Sequence, residues 1–159
     1  MTKENDWVRI VREFDAPIET IWSMWTDPEM FQTWYGPRGM SVPISEMDLS
    51  IGGTRKTCME MVTPERTMKM WFTGVFKEIN PPHRLVYTES MCDEDGNILS
   101  PKSMGMPEDH PDITEVIVEL EDLGGRTRMT MVHVGVVAGT AGDGGGNQAF
   151  DKLSERLEA

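Results

Sequence analysis

The sequence predicts an α+β fold, one long antiparallel sheet joined to a C-terminal helix. Three observations predict it. Six strand-like segments follow one another between residues 40 and 134, and one more stands near the N-terminus. Strands in succession with short connections fold as an antiparallel meander. Two short helical segments separate the first strand from the others, and a last helical segment spans 143–158.

Trp7 to Phe14 alternates, with Val8, Ile10 and Phe14 on one face and Arg9 and Glu13 on the other. A period of two is the mark of a strand. Asp15-Ala16-Pro17 then opens a helix, with Pro17 at the first helical position and Glu19 in the first turn. Its apolar stripe is Ile18, Ile21, Trp22 and Trp25. Asp27-Pro28 stops that helix and caps a second, short one carrying Met30, Phe31 and Trp34, which ends at Tyr35-Gly36-Pro37. The strands that follow are Met40–Met47, Thr54–Val62, Met68–Ile79, Arg84–Met91, Thr114–Glu121 and Arg126–Val134. Turn residues punctuate them: Gly52-Gly53, Thr63-Pro64-Glu65, Asn80-Pro81-Pro82 and Gly124-Gly125. The one long connection is an acidic loop over 92–113. In the final helix Phe150, Leu153 and Leu157 mark the buried face, while Gly142, Gly144, Gly145 and Gly146 predict a first turn that frays.

At 159 residues the chain is read as a single domain, 1–159, large enough to bury a core without staples. The net charge of −12 disfavours nucleic acid and anionic membranes as partners. No apolar run reaches the ~20 residues of a membrane-spanning helix, so no membrane insertion is expected. Residues 90–123 hold ten of the 27 acidic residues and one of the 15 basic ones, a solvated face in the first instance. Two cysteines, Cys58 and Cys92, without CxxC spacing fit a reducing cytoplasm better than a disulfide scaffold.

The ordered motifs resemble a known family. Ala16-Pro17-Ile18-Glu19-Thr20-Ile21-Trp22, Trp25-Thr26-Asp27-Pro28, Trp34-Tyr35-Gly36-Pro37, Leu49-Ser50-Ile51-Gly52-Gly53 and the stretch from Gly74 through Asn80-Pro81-Pro82-His83 to Leu85 are similar to the START-like (SRPBCC) superfamily. Within it they resemble the homologues of the heat-shock-protein-90 ATPase activator. The resemblance implies a helix-grip, birch-pollen-allergen-like fold: a curved seven-stranded antiparallel sheet wrapped around the C-terminal helix and a hydrophobic cavity. It departs where the family carries a Gly-Trp pair early in the last helix. Gly145-Gly146 stands here, and the missing indole predicts a larger pocket or a looser helix.

A cavity of this kind would bind a small hydrophobic ligand. The fourteen methionines suit such a lining, because thioethers adapt to irregular apolar shapes. Ordinary core packing is the alternative. The expected ligand-binding residues are Trp34, Met59, Met61, Met70, Phe72, Met129, Met131, His133 and Phe150. His133 shares strand parity with Met129 and Met131, and would either orient a ligand, serve acid–base chemistry or make a structural hydrogen bond. An enzyme of the cyclase or aromatase kind would use the same cavity. A co-chaperone-like interaction domain is the third reading. The resemblance ties chaperone stimulation to a separate N-terminal domain as well, so none is expected of 159 residues.

No cofactor and no metal are expected. The glycines at 142–146 lack the Lys-Ser/Thr of a phosphate-binding loop, and no histidine pair has metal-ligand spacing. Asp93-Glu94-Asp95-Gly96-Asn97 reads as a turn, since it lacks the twelve-residue spacing of a calcium loop. An open sheet has edge strands, which makes a homodimer a natural arrangement.

Overall fold

Alternation of side chains decides which face of each strand meets the core; the burial patterns of β1 and β6 follow it, while β3 and β5 are buried on both faces along part of their length. A computed structural model describes residues 7–36, 39–99, 113–137 and 141–158. The elements run β1 (Trp7–Phe14), α1 (Ile18–Thr26), α2 (Pro28–Phe31), β2 (Ser41–Met47), β3 (Thr54–Val62), β4 (Thr67–Asn80), β5 (Arg84–Cys92), β6 (Thr114–Asp122), β7 (Thr127–Val137) and α3 (Ala141–Glu158). The seven strands form one sheet in the order β1-β7-β6-β5-β4-β3-β2. Strands β2 to β7 form a meander, joined by short turns except for the long connection between β5 and β6, and every pairing is antiparallel. β1 returns to pair with β7, so Ile10 faces Met131 and Phe14 faces Thr127.

The helices cover the inner face. In α1 the buried residues are Ile18, Ile21, Met24 and Trp25, while Trp22 is half-buried. The expected stripe is therefore rotated toward Met24. Pro17 stands one residue before the helix, at the N-cap, rather than inside it. Asp27 caps α2 as expected: its carboxylate accepts from the Glu29 N–H at 3.0 Å, with Pro28 at the first helical position. These elements close on a core of Phe14, Ile21, Phe31, Trp34, Phe76, Leu85, Tyr87, Val118, Met129, Phe150 and Leu153, all nearly inaccessible to solvent.

α3 begins at Ala141 and includes the glycines of the segment's start. Helices gain most of their stability from packing rather than propensity, and here Phe150 and Leu153 anchor the middle of the helix in the core. Arg12 on β1 holds it from the side, donating to the Asn147 carbonyl at 3.1 Å and to Asp151 Oδ1 at 2.8 Å. Gly145 and Gly146 lie within its helical backbone. The acidic loop begins as a tight turn in which Asp93 Oδ1 accepts from the N–H groups of Asp95 and Asn97, both at 2.9 Å. Those hydrogen bonds lower the Asp93 pKa. Most of the loop, 100–112, lies outside the described residues.

Candidate ligand-binding site

The inner face of the sheet is two apolar fields parted by a polar row. On β3 the inward residues are Arg55, Thr57, Met59 and Met61; opposite them on β4 stand Gly74, Phe72, Met70 and Met68. On β5 they are Leu85, Tyr87, Glu89 and Met91, with Phe72 facing Met91 and Phe76 facing Tyr87. On β6 Thr114 pairs with Glu89. Arg55, Gly74, Glu89 and Thr114 thus form a line across four strands. One side of it is the main core. The other is a smaller cluster of Val42, Met59 and Phe72, with half-buried Tyr35, Met40, Met70 and Met91 against it.

The row is polar yet buried. Arg55 is 2% exposed and Glu89 7%. The guanidinium carbon lies 3.6 Å from the centroid of the Tyr87 ring, with Phe31 and Phe76 at 5.6 and 5.9 Å. A cation held over aromatic faces away from water is worth ~2 kcal/mol or more. Arg55 Nη1 stands 4.0 Å from Glu89 Oε2, and the Tyr35 hydroxyl donates to the same oxygen at 3.0 Å. Burial pushes the Tyr35 phenol well above its ordinary value, and the Glu89 charge pushes the same way. Burial also raises Tyr87, against the opposing pull of Arg55.

Glycine lets β5 approach β4 closely here. Gly74 stands directly beside Arg55 on β4, and a Cβ there would fall 1.8 Å from the Thr88 carbonyl oxygen. Gly36, at φ 86°, brings the end of the α2 segment against the smaller field, where its Cβ would meet Met59 Sδ at 2.9 Å.

Among the described residues, three polar atoms beside the row are buried without a hydrogen-bond partner: Arg55 Nε, Thr57 Oγ1 and Ser45 Oγ. Ser45 pairs with Thr57 across β2 and β3. An unsatisfied buried group costs ~1–3 kcal/mol, so three together stand out. At the far end, Thr114 Oγ1 donates to the Glu89 carbonyl at 3.0 Å and lies 2.8 Å from His133 Nε2.

The nine residues expected from sequence fall into separate groups. Trp34, Phe150, Met129 and Met131 belong to the main core. Trp34 donates its indole N–H to the Met24 carbonyl at 2.9 Å and packs 5.8 Å from Phe150, ring to ring. The Trp25 indole N–H points to Met129 Sδ at 3.3 Å. Met59, Met70 and Phe72 meet in the smaller field, and Met61 lies half-buried further along β3. His133, half-buried on β7, is across the sheet from them. Sequence reasoning did not single out Tyr35, Ser45, Arg55, Thr57, Glu89 or Thr114. Two signals were there to read: Arg55 shares parity with Met59 and Met61, and Glu89 shares it with Leu85 and Tyr87.

The outer face carries other features. Trp71 points there, with Lys56 Nζ 5.1 Å from its ring centroid. Cys58 and Cys92 flank Trp71 in the ladder as buried, free thiols whose pKa burial raises. A depression of about 540 Å³ is lined by Trp7, Lys77, Thr88, Glu115 and Val134, and Lys77 and Glu115 form an ion pair of 3.0 Å there. Among the described residues there is no group of three or more histidines, cysteines and carboxylates able to hold a metal ion. Nor is any helix among them long and apolar enough to cross a membrane.

A curved seven-stranded antiparallel sheet gripping a C-terminal helix defines a helix-grip fold. The family model for activator of Hsp90 ATPase homolog 1-like protein matches residues 15–158, and the chain belongs to that family. Solved structures agree on the fold. A crystal structure of a protein from Nitrosomonas europaea shares 23% identity, covering 94% of this chain and 92% of that one, with a TM-score of 0.73. One from Chromobacterium violaceum shares 22% identity over 98% and 99% of the two chains, with a TM-score of 0.74. A solution structure from Arthrobacter aurescens shares 26% identity over 94% and 84%, with a TM-score of 0.70. No curated protein matches the sequence.

Proposed function

We propose that the protein binds a small hydrophobic molecule against the smaller apolar field of the inner face. One observation carries this reading: Met59, Phe72, Met70 and Met91 form a cluster apart from the main core, two of them half-exposed, on the far side of the buried polar row. A packed core has no need of a second, partly open apolar patch rich in flexible thioethers, whereas an adaptable ligand surface does. Affinity would come mainly from apolar area, at ~25 cal/mol per Å² buried. Binding fits better than acid–base catalysis by Tyr35, because burial moves its phenol further from neutrality. A reducing, cytoplasmic setting would suit the two free thiols, Cys58 and Cys92. Self-association would use the sheet edges β1 and β2.

A thermal-shift and native-mass screen with fatty acids, aromatic compounds and polyketide-like compounds tests it. At least one compound is expected to raise the melting temperature of the wild type, and Met70→Lys, which puts a charge in the half-buried field, is expected to abolish the shift. A screen in which no compound binds removes the proposal.

A further inference from the structure

We infer that two copies of the chain join β1 to β1, antiparallel and in one register, so that the sheet continues across a two-fold axis at Val11. This surface is separate from the apolar field of the inner face and serves whatever ligand that field takes.

The two edges of the sheet are unlike. β1 and β2 are its end strands, and an end strand presents unpaired N–H and C=O groups to any strand that can dock. β2 is guarded. Pro43 lies within it and offers no N–H. Its ladder with β3 slips between Ser41 and Ile44, and the Gln32 side chain donates to the Val42 carbonyl at 3.1 Å. β1 has none of these devices over Val8–Phe14. It carries no proline, and its register with β7 is unbroken there. Among the described residues its backbone makes no backbone hydrogen bond outside that ladder.

The outward side chains set the register. Arg9, Val11 and Glu13 share the outer face of β1. Val11 is 49% exposed. Glu13 reaches Arg128 on β7 at 3.3 Å. Arg9 is exposed and has no ion pair among the described residues. In an antiparallel pair, residues directly opposite share a face and interact. Placing Val11 opposite its own copy sets each Arg9 against the other chain's Glu13, so two opposite-charge pairs flank one apolar pair. Moving the axis to Arg12 would set two guanidinium groups face to face and Val11 against Glu13. Moving it to Ile10 would set Arg9 against Val11 and leave the charges unmatched. The Val11 register alone answers all three outward side chains. Each copy carries a net charge of −12, so the free cation of Arg9 on this edge supplies a local attraction against a general repulsion. Two short strands make a small interface, so the dimer is a reversible one.

Sedimentation velocity of the whole chain over a broad range of concentration tests this. The wild type is expected to pass from monomer to dimer as concentration rises. Val11→Lys sets two ammonium groups against each other at the axis, and Arg9→Glu makes both flanking pairs repulsive. Each is expected to weaken association about tenfold or more. Both positions are on the surface, so the melting temperature of the monomer should stay within about 2 °C of wild type. Val11→Cys places two thiols opposite each other with Cα atoms roughly 4.5–5.5 Å apart, within the reach of a disulfide, and mild oxidation is expected to lock it as a covalent dimer. Arg9→Cys puts its two thiols four residues out of step, roughly 14 Å apart, and should not cross-link. The native Cys58 and Cys92 are buried and do not compete. A chain monomeric at every concentration, a dimer untouched by both charge variants, or cross-linking of Arg9→Cys as readily as Val11→Cys overturns the β1 pairing. If Val11→Lys fails to fold, Arg9→Glu and the two cysteine variants decide. The ligand screen is unaffected by any of these outcomes.

Discussion

Removing the Arg55 guanidinium leaves the Glu89 carboxylate buried with the Tyr35 hydroxyl still donating to it, and the size of that effect can be worked out. Arg55→Met keeps the aliphatic bulk near Phe31, Phe76 and Tyr87 but loses the cation stacked 3.6 Å from the Tyr87 centroid, about 2 kcal/mol when desolvated. It also strands a carboxylate that is 9% exposed. Breaking a buried pair costs about 3–5 kcal/mol in well-bonded cases, and a 4.0 Å separation puts this one at the low end. Deleting the unpartnered Nε returns about 1 kcal/mol. The net expectation is a loss of about 3–4 kcal/mol. Glu89→Gln keeps an acceptor for Tyr35 and is expected to cost about 2 kcal/mol. In the double variant the stranded charge is gone, so the loss should fall short of the sum by about 2 kcal/mol. Urea unfolding of the four proteins, compared by linear extrapolation, measures all three quantities. Additivity within about 0.5 kcal/mol would show that Arg55 and Glu89 do not act together, and the account of the polar row would fall with it.

Gly74→Ala should be among the most damaging small substitutions in the sheet. The new Cβ would lie 1.8 Å from the Thr88 carbonyl oxygen, a backbone atom that cannot rotate away, and a loss of about 3 kcal/mol in urea unfolding is expected; a loss under about 0.5 kcal/mol would contradict the tight β4–β5 approach. The two tyrosines of the chain, buried Tyr87 and half-buried Tyr35, both have raised pKa values. A phenol raised in the folded state contributes stability that is intact below the unfolded value near ~10 and is lost as pH climbs toward the folded value. Absorbance at the phenolate band should therefore stay flat in native protein past the ordinary tyrosine range, then rise for both residues together as the protein unfolds. Ionisation of either ring at its ordinary pH in folded protein would refute the burial of the row.

Much of the fold was legible because period-two alternation and turn residues are local signals. β1 and β3 match their expected limits residue for residue, and Asp27-Pro28 marks the helix break. The second apolar field was half legible. Met59, Met70 and Phe72 could be placed on one face by parity, but not their separation from Met129 and Met131, because strand order decides it: three strands lie between β3 and β7. The polar row was hidden for the same reason. Arg55 and Glu89 lie 34 positions apart in the sequence, on strands with β4 between them, and strand order brings them together. Parity alone marked each as an inward charge; only register shows that the two charges answer each other.

The pairing of β1 with β7 has a consequence for how the molecule is made. Register joins Trp7 to Val137 and Phe14 to Thr127, so the first strand waits for nearly the last part of the chain. Hairpins β2 through β6 can form as they leave the ribosome, but the sheet cannot close until residue 137 has emerged. Non-local pairing of this kind slows folding. A nascent chain paused before β7 would expose Val8, Ile10 and Phe14, three apolar side chains awaiting their neighbour, and would be a natural client for holding chaperones during synthesis.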